Sequence, residues 1–292
     1  MDGLKNLINI ERTFNMSNKV LYVIPTMHCN LDCSHCFIKN SPEVYNREKF
    51  IYKLNNFDGD LILFGGEVTT HLDRMFDIIE SNKNEGISKI SNISTNLIIL
   101  NNDLLDFYKT LRGVSTSWNP DRFNDNQYNI WKNNCKILSN NNIDYRIMIT
   151  LTDDLFKIES KEFLNIAKEW VTPNLKEIKF EYYVGKEVTP EYFDRADKWL
   201  CDVYKDWDLP VDLEILKRIN CWNYNCNEIY TLYPDGNIIN ACPHGKTKVI
   251  SYNCYSCDKV SKCRPCRLQP YCSYPHNLAK LVNESKGDIN NE

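Results

Sequence analysis

Six strand-and-helix units in series constrain the fold of this 292-residue chain more than any other feature. The strands are short apolar or β-branched runs, the form expected of strands that are buried on both faces. They are predicted at Val20–Pro25, Leu61–Phe64, Ile90–Ser94, Gly113–Trp118, Tyr145–Thr150 and Ile178–Val184. Helical patterns follow them at Glu43–Leu54, Leu72–Glu85, Asp103–Leu111, Tyr128–Asn140, Lys161–Trp170 and Glu191–Lys205. The series predicts an α/β fold with a parallel sheet and right-handed crossovers, either an open sheet or a partial (β/α)6 barrel.

Thirteen cysteines are the second unusual feature, and their distribution is informative. Three lie within Cys29–Cys36, eight lie within Cys221–Cys272, and Cys135 and Cys201 stand alone in predicted helices. The chain has no export signal and is too large to need a disulfide framework, so its clustered thiols predict metal binding or redox chemistry. The two isolated thiols are interpreted as buried and unreactive.

Composition argues against several other classes of protein. Hydrophobic residues make up 42% of the chain, enough for a packed core, which argues against disorder. The net charge of −4 offers no polyanion-binding surface, so nucleic acid is not an expected partner. No apolar run approaches the roughly 18 residues of a membrane span, and the N-terminal segment lacks a signal-peptide core. The protein is therefore expected to be soluble and cytoplasmic, with no membrane partner.

Cys29, Cys33 and Cys36 form a C-x3-C-x2-C pattern directly after the first predicted strand, where ligands of parallel sheets bind. Three thiolates on so short a loop can hold three irons of a cubane cluster and leave the fourth iron without a protein ligand. An open coordination position distinguishes a catalytic metal site from a structural one. A zinc site, or a chance triplet in a cysteine-rich chain, is the alternative interpretation of the spacing alone.

This pattern after the first strand resembles the radical S-adenosylmethionine (SAM) superfamily, over roughly residues 19–206. In that family the amino and carboxylate groups of SAM chelate the unique iron of a 4Fe–4S cluster, which implies Cys29, Cys33 and Cys36 as the cluster ligands. The family usually has an aromatic residue before the third cysteine, where this chain has His35. The resemblance therefore assigns His35 to the cofactor site, although its other interpretation is an ordinary loop residue.

Two segments that follow the next two strands resemble SAM-binding elements of the same family. Gly65-Gly66-Glu67 resembles its GGE motif, whose backbone and acidic side chain hold the SAM amino group. Glycine lets a backbone come close to a ligand, although the same tripeptide is also a common turn. Ser94 and Asn96 lie at the end of the third strand, and the resemblance assigns them to the cofactor as well.

The fourth and fifth strands carry the remaining cofactor candidates. Ser115 and Ser117 resemble the family's S-x-S element, which hydrogen-bonds the SAM ribose or carboxylate. Serine is also ordinary in strands, so the sequence leaves both interpretations open. Arg146 in the fifth strand pairs either with the SAM carboxylate or with an acidic residue of a helix, and the sequence does not choose between them.

The eight C-terminal cysteines lie in a loop-rich segment with too little apolar material to fold without bound metal. Their spacing resembles the family's SPASM extension, which binds auxiliary 4Fe–4S clusters. The order of ligands in that extension implies one cluster on Cys221, Cys226, Cys242 and Cys266, and another on Cys254, Cys257, Cys263 and Cys272. The C-x2-C-x5-C spacing of Cys254, Cys257 and Cys263 recurs at Cys263, Cys266 and Cys272. A shortened "twitch" module with one auxiliary cluster, or a zinc site, is therefore the alternative.

The resemblance also gives domain boundaries. It implies an N-terminal extension at 1–18, a radical SAM partial barrel at 19–208, a SPASM/twitch-like auxiliary-cluster domain at 209–280, and a C-terminal tail at 281–292. Near the start of the third of these segments, Pro234-Asp235-Gly236-Asn237 predicts a tight hairpin turn between Glu228–Tyr233 and Ile238–Ala241.

The chemistry that the resemblance implies is homolytic. A reduced cluster passes an electron into SAM, and the resulting 5′-deoxyadenosyl radical removes a hydrogen atom from the substrate. An auxiliary cluster then accepts the leftover electron, and a base accepts the proton. The candidate bases are Asp235 and His244, with Asp258 and His276 as further options; for each, a role in a turn or beside a cluster is the alternative.

The implied enzyme is an oxidoreductase or maturase that crosslinks or oxidises a peptide or protein and draws on a reductant such as flavodoxin or ferredoxin. Twitch-type dehydrogenation of a small alcohol or amino-sugar is the first alternative. The second is a non-catalytic iron–sulfur or zinc-binding adaptor, which predicts no SAM cleavage under reducing conditions.

Overall fold

The computed structural model of the protein describes residues 19–36, 38, 42–81, 90–182, 190–213 and 229–240. The strands are β1 Val20–Val23, β2 Asp60–Leu63, β3 Ile90–Ser94, β4 Gly113–Ser117, β5 Tyr145–Leu151, β6 Leu175–Tyr182, β7 Asp212–Leu213, β8 Ile229–Leu232 and β9 Ile238–Ile239. The α-helices are α1 Arg47–Asn55, α2 Leu72–Ser81, α3 Asn102–Tyr108, α4 Asp125–Asn140, α5 Ser160–Lys168 and α6 Pro190–Lys205. Short 3-10 helices lie at Val68–Thr70 and Leu155–Lys157.

The described strands form one sheet in the order β7-β6-β5-β4-β3-β2-β1-β8-β9. Neighbouring strands from β7 to β8 are parallel, and β8 and β9 are antiparallel. The spatial order of β1 to β6 follows the chain, as strand–helix–strand units with a constant hand require. The predicted α/β fold, a partial barrel with a largely parallel sheet, is confirmed.

The predicted hairpin at Asp235-Gly236 is present, and it joins the main sheet. Gly236 has a φ of +77°, and the Tyr233 N–H donates to the Asn237 carbonyl at 2.9 Å to close the turn between β8 and β9. β8 pairs in parallel with β1, with Val20 opposite Ile229. The chain beyond residue 208 therefore contributes β7, β8 and β9 to the same sheet as the six predicted strands.

Aromatic side chains form the core between the sheet and α4, α5 and α6. The ring centroids of Trp131 and Trp170 lie 5.6 Å apart, and those of Phe163 and Trp199 lie 5.2 Å apart. Trp131 Nε1 also donates to Thr116 Oγ1 at 2.9 Å, which places the Thr116 side chain on the helix-covered face of β4. Because side chains alternate along a strand, the residues on either side of Thr116 belong to the opposite, concave face.

Several element boundaries differ from the prediction, among them the starts of β6 and α1. β6 begins three residues earlier than the predicted Ile178–Val184, and residues 183 and 184 lie outside the described part of the chain. α1 begins at Arg47 rather than at Glu43, because the Asn46 side chain accepts a hydrogen bond from the Lys49 N–H and caps the helix there. Among the described helices, none is long and apolar enough to cross a membrane.

Candidate functional site

The loop that follows β1 brings the three cysteines of the C-x3-C-x2-C pattern together at the carboxyl edge of the sheet. Burial raises the pKa of the Cys29, Cys33 and Cys36 thiols. The charge of Cys33 acts on Cys29, that of Cys36 on Cys33, and that of Cys29 on Cys36. Every pair of the three thiols therefore lies within electrostatic reach, as ligands of one centre must.

Hydrogen-bond donors point at two of the three sulfur atoms. Asn96 Nδ2 lies 3.9 Å from Cys29 Sγ, and the Leu31 N–H donates to the same sulfur at 3.4 Å. Arg122 Nη1 donates to Cys33 Sγ at 3.3 Å. Donors aimed at a sulfur favour its thiolate form, which is the form that binds metal.

The arrangement of the thiols fits a cluster better than a single ion. Within the part of the chain that the structure describes, no three His, Cys, Asp or Glu side chains are grouped so that they could hold one metal ion. In a cubane cluster each thiolate binds a different iron, so the protein ligands do not have to meet at one point. The half-buried thiols and the donors beside them are suited to three of the four irons of a 4Fe–4S cluster.

The loop after β2 packs directly against the backbone that leads into the cysteine loop. The Gly66 N–H donates to the Thr26 carbonyl at 2.9 Å, and the Glu67 N–H donates to the His28 carbonyl at 2.7 Å. A Cβ atom on Gly66 would lie 2.0 Å from the His28 carbonyl oxygen, and Gly65 has a φ of +137°. Both glycines are required because the two backbones touch.

Glu67 ties the loop after β2 to the loop after β3. Its side chain is buried, with 1% of the residue exposed. Oε1 accepts hydrogen bonds from the Thr69 N–H at 3.2 Å and from the hydroxyls of Thr69 and Thr95, both at 2.7 Å. Oε2 accepts from the Asn96 N–H at 2.5 Å. Four protein donors therefore hold this carboxylate, and its contact with the SAM amino group stays a prediction.

Asn96 connects the end of β3 to the cysteine loop. Its Nδ2 donates to Asn30 Oδ1 at 2.6 Å, and its Oδ1 accepts from the Ile98 N–H at 3.1 Å. Ser94, the last residue of β3, lies opposite Ser115 of β4 in the parallel register. The predicted residues of β3 therefore lie at the same edge of the sheet as the cysteines, and Asn96 reaches them directly.

The loop after β4 also binds the cysteine loop, through two residues that the sequence analysis missed. Ser34 Oγ donates to Asp121 Oδ2 at 2.5 Å, and His35 Nδ1 lies 3.7 Å from Asp121 Oδ1. These contacts hold the pKa of Asp121 far below its ordinary value. His35 is thus turned toward Asp121. The rule that chemistry follows strand ends applied to Asp121 and Arg122 too, but their Asn-Pro-Asp-Arg context resembles an ordinary turn.

The remaining predicted cofactor residues lie on the concave face. Ser115 Oγ donates to Asn92 Oδ1 at 3.3 Å, and Ser117 is the last residue of β4. Arg146 Nη1 lies 3.0 Å from Glu177 Oε1 of β6, so this arginine pairs with a strand acid rather than with a helix acid. Arg146 is the second residue of β5, toward the end of the strand opposite the cysteine loop. Its assignment to the SAM carboxylate therefore gains no support from its position.

Of the two candidate catalytic bases, Asp235 lies within the described residues and His244 lies outside them. Asp235 lies in the turn between β8 and β9, where Oδ1 accepts from the Asn237 N–H at 2.9 Å and Oδ2 accepts from Asn237 Nδ2 at 2.5 Å. These bonds give Asp235 a role in stabilising the turn, and its role as a base stays a prediction. Outside the described residues lie His244, Asp258 and His276 and all eight C-terminal cysteines, namely Cys221, Cys226, Cys242, Cys254, Cys257, Cys263, Cys266 and Cys272.

A partly buried ion pair between Glu43 and Arg74 supports the start of the cysteine loop. The Glu43 carboxylate accepts from Thr26 Oγ1 at 3.0 Å and from the Met27 N–H at 2.5 Å, and it forms an ion pair with Arg74. Arg74 Nη1 also donates to the Pro25 carbonyl at 2.9 Å. Burial alone raises the pKa of Glu43, but the hydrogen bonds outweigh it and hold that pKa below its ordinary value.

We expect Glu43→Gln to lower the free energy of unfolding by about 1–3 kcal/mol at neutral pH, because a charged acceptor is lost while its donors stay buried. The pKa of Glu43 is lower in the folded protein than in the unfolded chain. Its carboxylate therefore stabilises the fold fully above the ordinary carboxyl pKa of about 4.3, and this stabilisation is lost as the pH falls through the pKa of Glu43 in the folded protein. Urea unfolding at pH 7 and on acidification below about pH 4 measures the difference. The exposed Glu48→Gln is the control; an equal effect of both substitutions at pH 7 would contradict the prediction.

Comparison with known proteins supports the fold described above. No protein-family model matches the sequence, and no curated protein matches it significantly. Among solved structures, hexahistidine-tagged anSMEcpe with bound AdoMet (SAM) is similar with a TM-score of 0.59 at 15% identity, over 90% of this chain and 83% of that chain. SuiB of Streptococcus suis bound to S-adenosylmethionine gives a TM-score of 0.56 at 14% identity, over 86% of this chain and 67% of that chain.

A third structure, SuiB of Streptococcus suis bound to precursor peptide SuiA, gives a TM-score of 0.56 at 13% identity, over 77% of this chain. This chain spans 60% of the length of that SuiB chain. At these identities the likeness establishes a shared fold. The chain therefore has the partial-barrel fold of proteins whose structures contain SAM.

Proposed function

We propose that this protein is a radical SAM enzyme that oxidatively modifies a peptide or protein. The observation that carries the proposal is the set of three half-buried thiols, Cys29, Cys33 and Cys36, on one loop at the carboxyl edge of a parallel sheet. The fold shared with the SAM-bound structures of anSMEcpe and SuiB supports it. A 4Fe–4S cluster held by these thiols, when bound, supplies the electron that cleaves SAM to methionine and a 5′-deoxyadenosyl radical.

The residues around the thiols have separate tasks in this proposal. Gly65 and Gly66 allow the backbone after β2 to lie against the start of the cysteine loop, which keeps that edge compact. Asn96 and Arg122 donate toward the cluster-binding sulfurs. Ser117, at the end of β4 on the concave face, is assigned to a hydrogen bond with the ribose or the carboxylate of SAM.

A peptide or protein is the proposed substrate class. The structure of SuiB bound to precursor peptide SuiA supports it, because SuiB is similar in fold to this chain and binds a peptide. The proposal is tested by producing this protein together with the products of neighbouring genes and searching for peptides with changed mass. A modified small alcohol or sugar, with every peptide mass unchanged, would contradict the peptide assignment and favour the dehydrogenase alternative.

The C-terminal cysteines are proposed to hold one or two auxiliary 4Fe–4S clusters that accept the substrate electron. Iron and acid-labile sulfide per chain, measured after anaerobic reconstitution, test this part of the proposal. About twelve of each correspond to three cubanes, and about eight correspond to one SAM-cleaving and one auxiliary cluster. About four iron together with bound zinc would mean a structural C-terminal module, and the electron-acceptor role would be abandoned.

A further inference from the structure

The guanidinium of Arg122 lies between the cysteine loop and the ring of Phe123, with its central carbon 5.5 Å from the ring centroid. Its Nη1 donates to Cys33 Sγ at 3.3 Å, while its Nε is buried and has no hydrogen-bond partner among the residues that the structure describes. The Arg122 guanidinium also lies within electrostatic reach of the thiols of Cys29 and Cys36. One fixed cation thus acts on all three thiols of the candidate cluster site.

The chain on both sides of Arg122 is held in place, so its position is defined by several independent contacts. On one side, Asp121 accepts from Ser34 and lies beside His35. On the other side, Asn124 and Gln127 form a reciprocal capping box at the start of α4. The Arg122 N–H itself donates to the Asn119 carbonyl at 3.1 Å.

The chemistry of a guanidinium suits a role beside cluster-bound sulfur. Arginine stays protonated at every physiological pH, so its charge does not depend on its surroundings. The reduction potential of an iron–sulfur cluster depends on its net charge, on hydrogen bonds to its sulfurs and on its exposure to solvent. One-electron reduction makes a cluster more negative, and a nearby fixed positive charge stabilises the reduced form more than the oxidised form. Glu67 and Asp121 act in the opposite direction on Cys29 and Cys33 respectively.

We propose that Arg122 is a positioning residue that donates to the cluster-bound sulfur of Cys33 and raises the reduction potential of the cluster held by Cys29, Cys33 and Cys36. The inference rests on the proposed function, because it requires a cluster at these thiols. It identifies Arg122 as the residue that raises the reduction potential of this cluster toward that of a biological reductant. Through its contact with Cys33, Arg122 makes the cluster easier to reduce.

The test compares Arg122→Gln, which removes the charge, with Arg122→Lys, which keeps it. Arg112→Gln is the matched control, because Arg112 is an exposed arginine paired with Asp60, at the start of β4 and away from the cysteine loop. Each full-length protein is reconstituted anaerobically. A redox titration is then followed through the part of the electron paramagnetic resonance spectrum that changes when SAM is added.

We expect the ratio of reduced to oxidised cluster at a fixed potential to fall about tenfold in Arg122→Gln, a negative shift of about 59 mV for a one-electron couple. Arg122→Lys should recover most of the shift, and Arg112→Gln should match the wild type. If Arg122→Gln binds no cluster while Arg122→Lys binds one at the wild-type potential, the requirement for a positive charge is equally supported.

Two results would overturn the inference. The first is a loaded Arg122→Gln protein whose potential equals that of the wild type. The second is an equal shift, or an equal loss of iron, in Arg122→Gln and Arg122→Lys, since that would mean a purely structural role. Wild-type protein with no SAM-sensitive cluster would instead overturn the proposed function, and the inference with it.

Discussion

Replacing Cys29, Cys33 and Cys36 together by alanine is expected to remove about four iron atoms per chain and to abolish SAM cleavage, because one cubane loses all its protein ligands. Alanine is chosen because a serine hydroxyl is still able to bind iron weakly. Iron and sulfide content, together with the amount of 5′-deoxyadenosine formed from SAM under reducing conditions, measure the effect. Clusters bound by other cysteines should remain.

Cys135→Ala is the matched control for the triple variant. Cys135 is buried in α4, and burial raises the pKa of its thiol well above the ordinary value. This thiol has the character of a packed, unreactive side chain, so its removal should leave the iron content and SAM cleavage unchanged. Wild-type iron content and SAM cleavage in the triple variant would contradict the assignment of the cluster to the loop after β1.

Gly66→Ala is expected to lower the free energy of unfolding by about 3 kcal/mol, because its new methyl group collides with backbone that has no room to yield. The Cβ atom would lie 2.0 Å from the His28 carbonyl oxygen and 2.7 Å from the Met27 carbonyl carbon. Both contacts are with the segment that leads directly into Cys29. The loop after β2 and the cysteine loop must therefore move apart, and we also expect the variant to retain less iron than the wild type.

Gly113→Ala separates this effect from the general cost of replacing a glycine. Among the described residues, a Cβ atom on Gly113 meets only the Asp144 carbonyl oxygen, at 3.4 Å, and Gly113 lies at the start of β4, away from the cysteine loop. We expect its free energy of unfolding to stay within about 1 kcal/mol of the wild type, with full iron content. Thermal or urea unfolding, paired with iron analysis, compares the two variants. Equal stability and equal iron content in both would mean that the close approach at Gly66 is unimportant.

The sequence predicts those strands of the sheet that are long and apolar. β1 to β6 follow runs whose length and composition are typical of buried parallel strands, and their spatial order follows from the handedness of the crossovers. The two-residue strand β7 carries no pattern of its own. The pairing of β8 with β1 joins Ile229 to Val20 across more than two hundred residues. Contacts of that kind leave no local periodicity for a sequence analysis to find.

The candidate site was predictable where a motif coincided with the end of a strand. The rule that ligands bind at the carboxyl ends of parallel strands located the cysteine loop, the Gly65-Gly66-Glu67 turn and Asn96 at one edge. The same rule did not single out Asp121 and Arg122, because their roles depend on where the cysteine loop folds over them.

The ion pair of Arg146 could not be predicted from the sequence. Its partner, Glu177, is set by the register between β5 and β6, which shifts between Tyr145 and Arg146. Two charged residues 31 positions apart give no indication in the sequence that they face each other. The sequence predicts a helix acid or the SAM carboxylate as the partner, whereas the structure supplies an acid on the adjacent strand.

Formation of 5′-deoxyadenosine from SAM directly tests whether this protein is a radical SAM enzyme. The full-length protein, reconstituted with iron and sulfide under anaerobic conditions and reduced with dithionite, is incubated with SAM. We expect 5′-deoxyadenosine and methionine from the wild type and none above background from the variant that lacks Cys29, Cys33 and Cys36. A wild-type protein that holds a reduced cluster at these cysteines and leaves SAM intact would contradict the proposed SAM-cleaving activity.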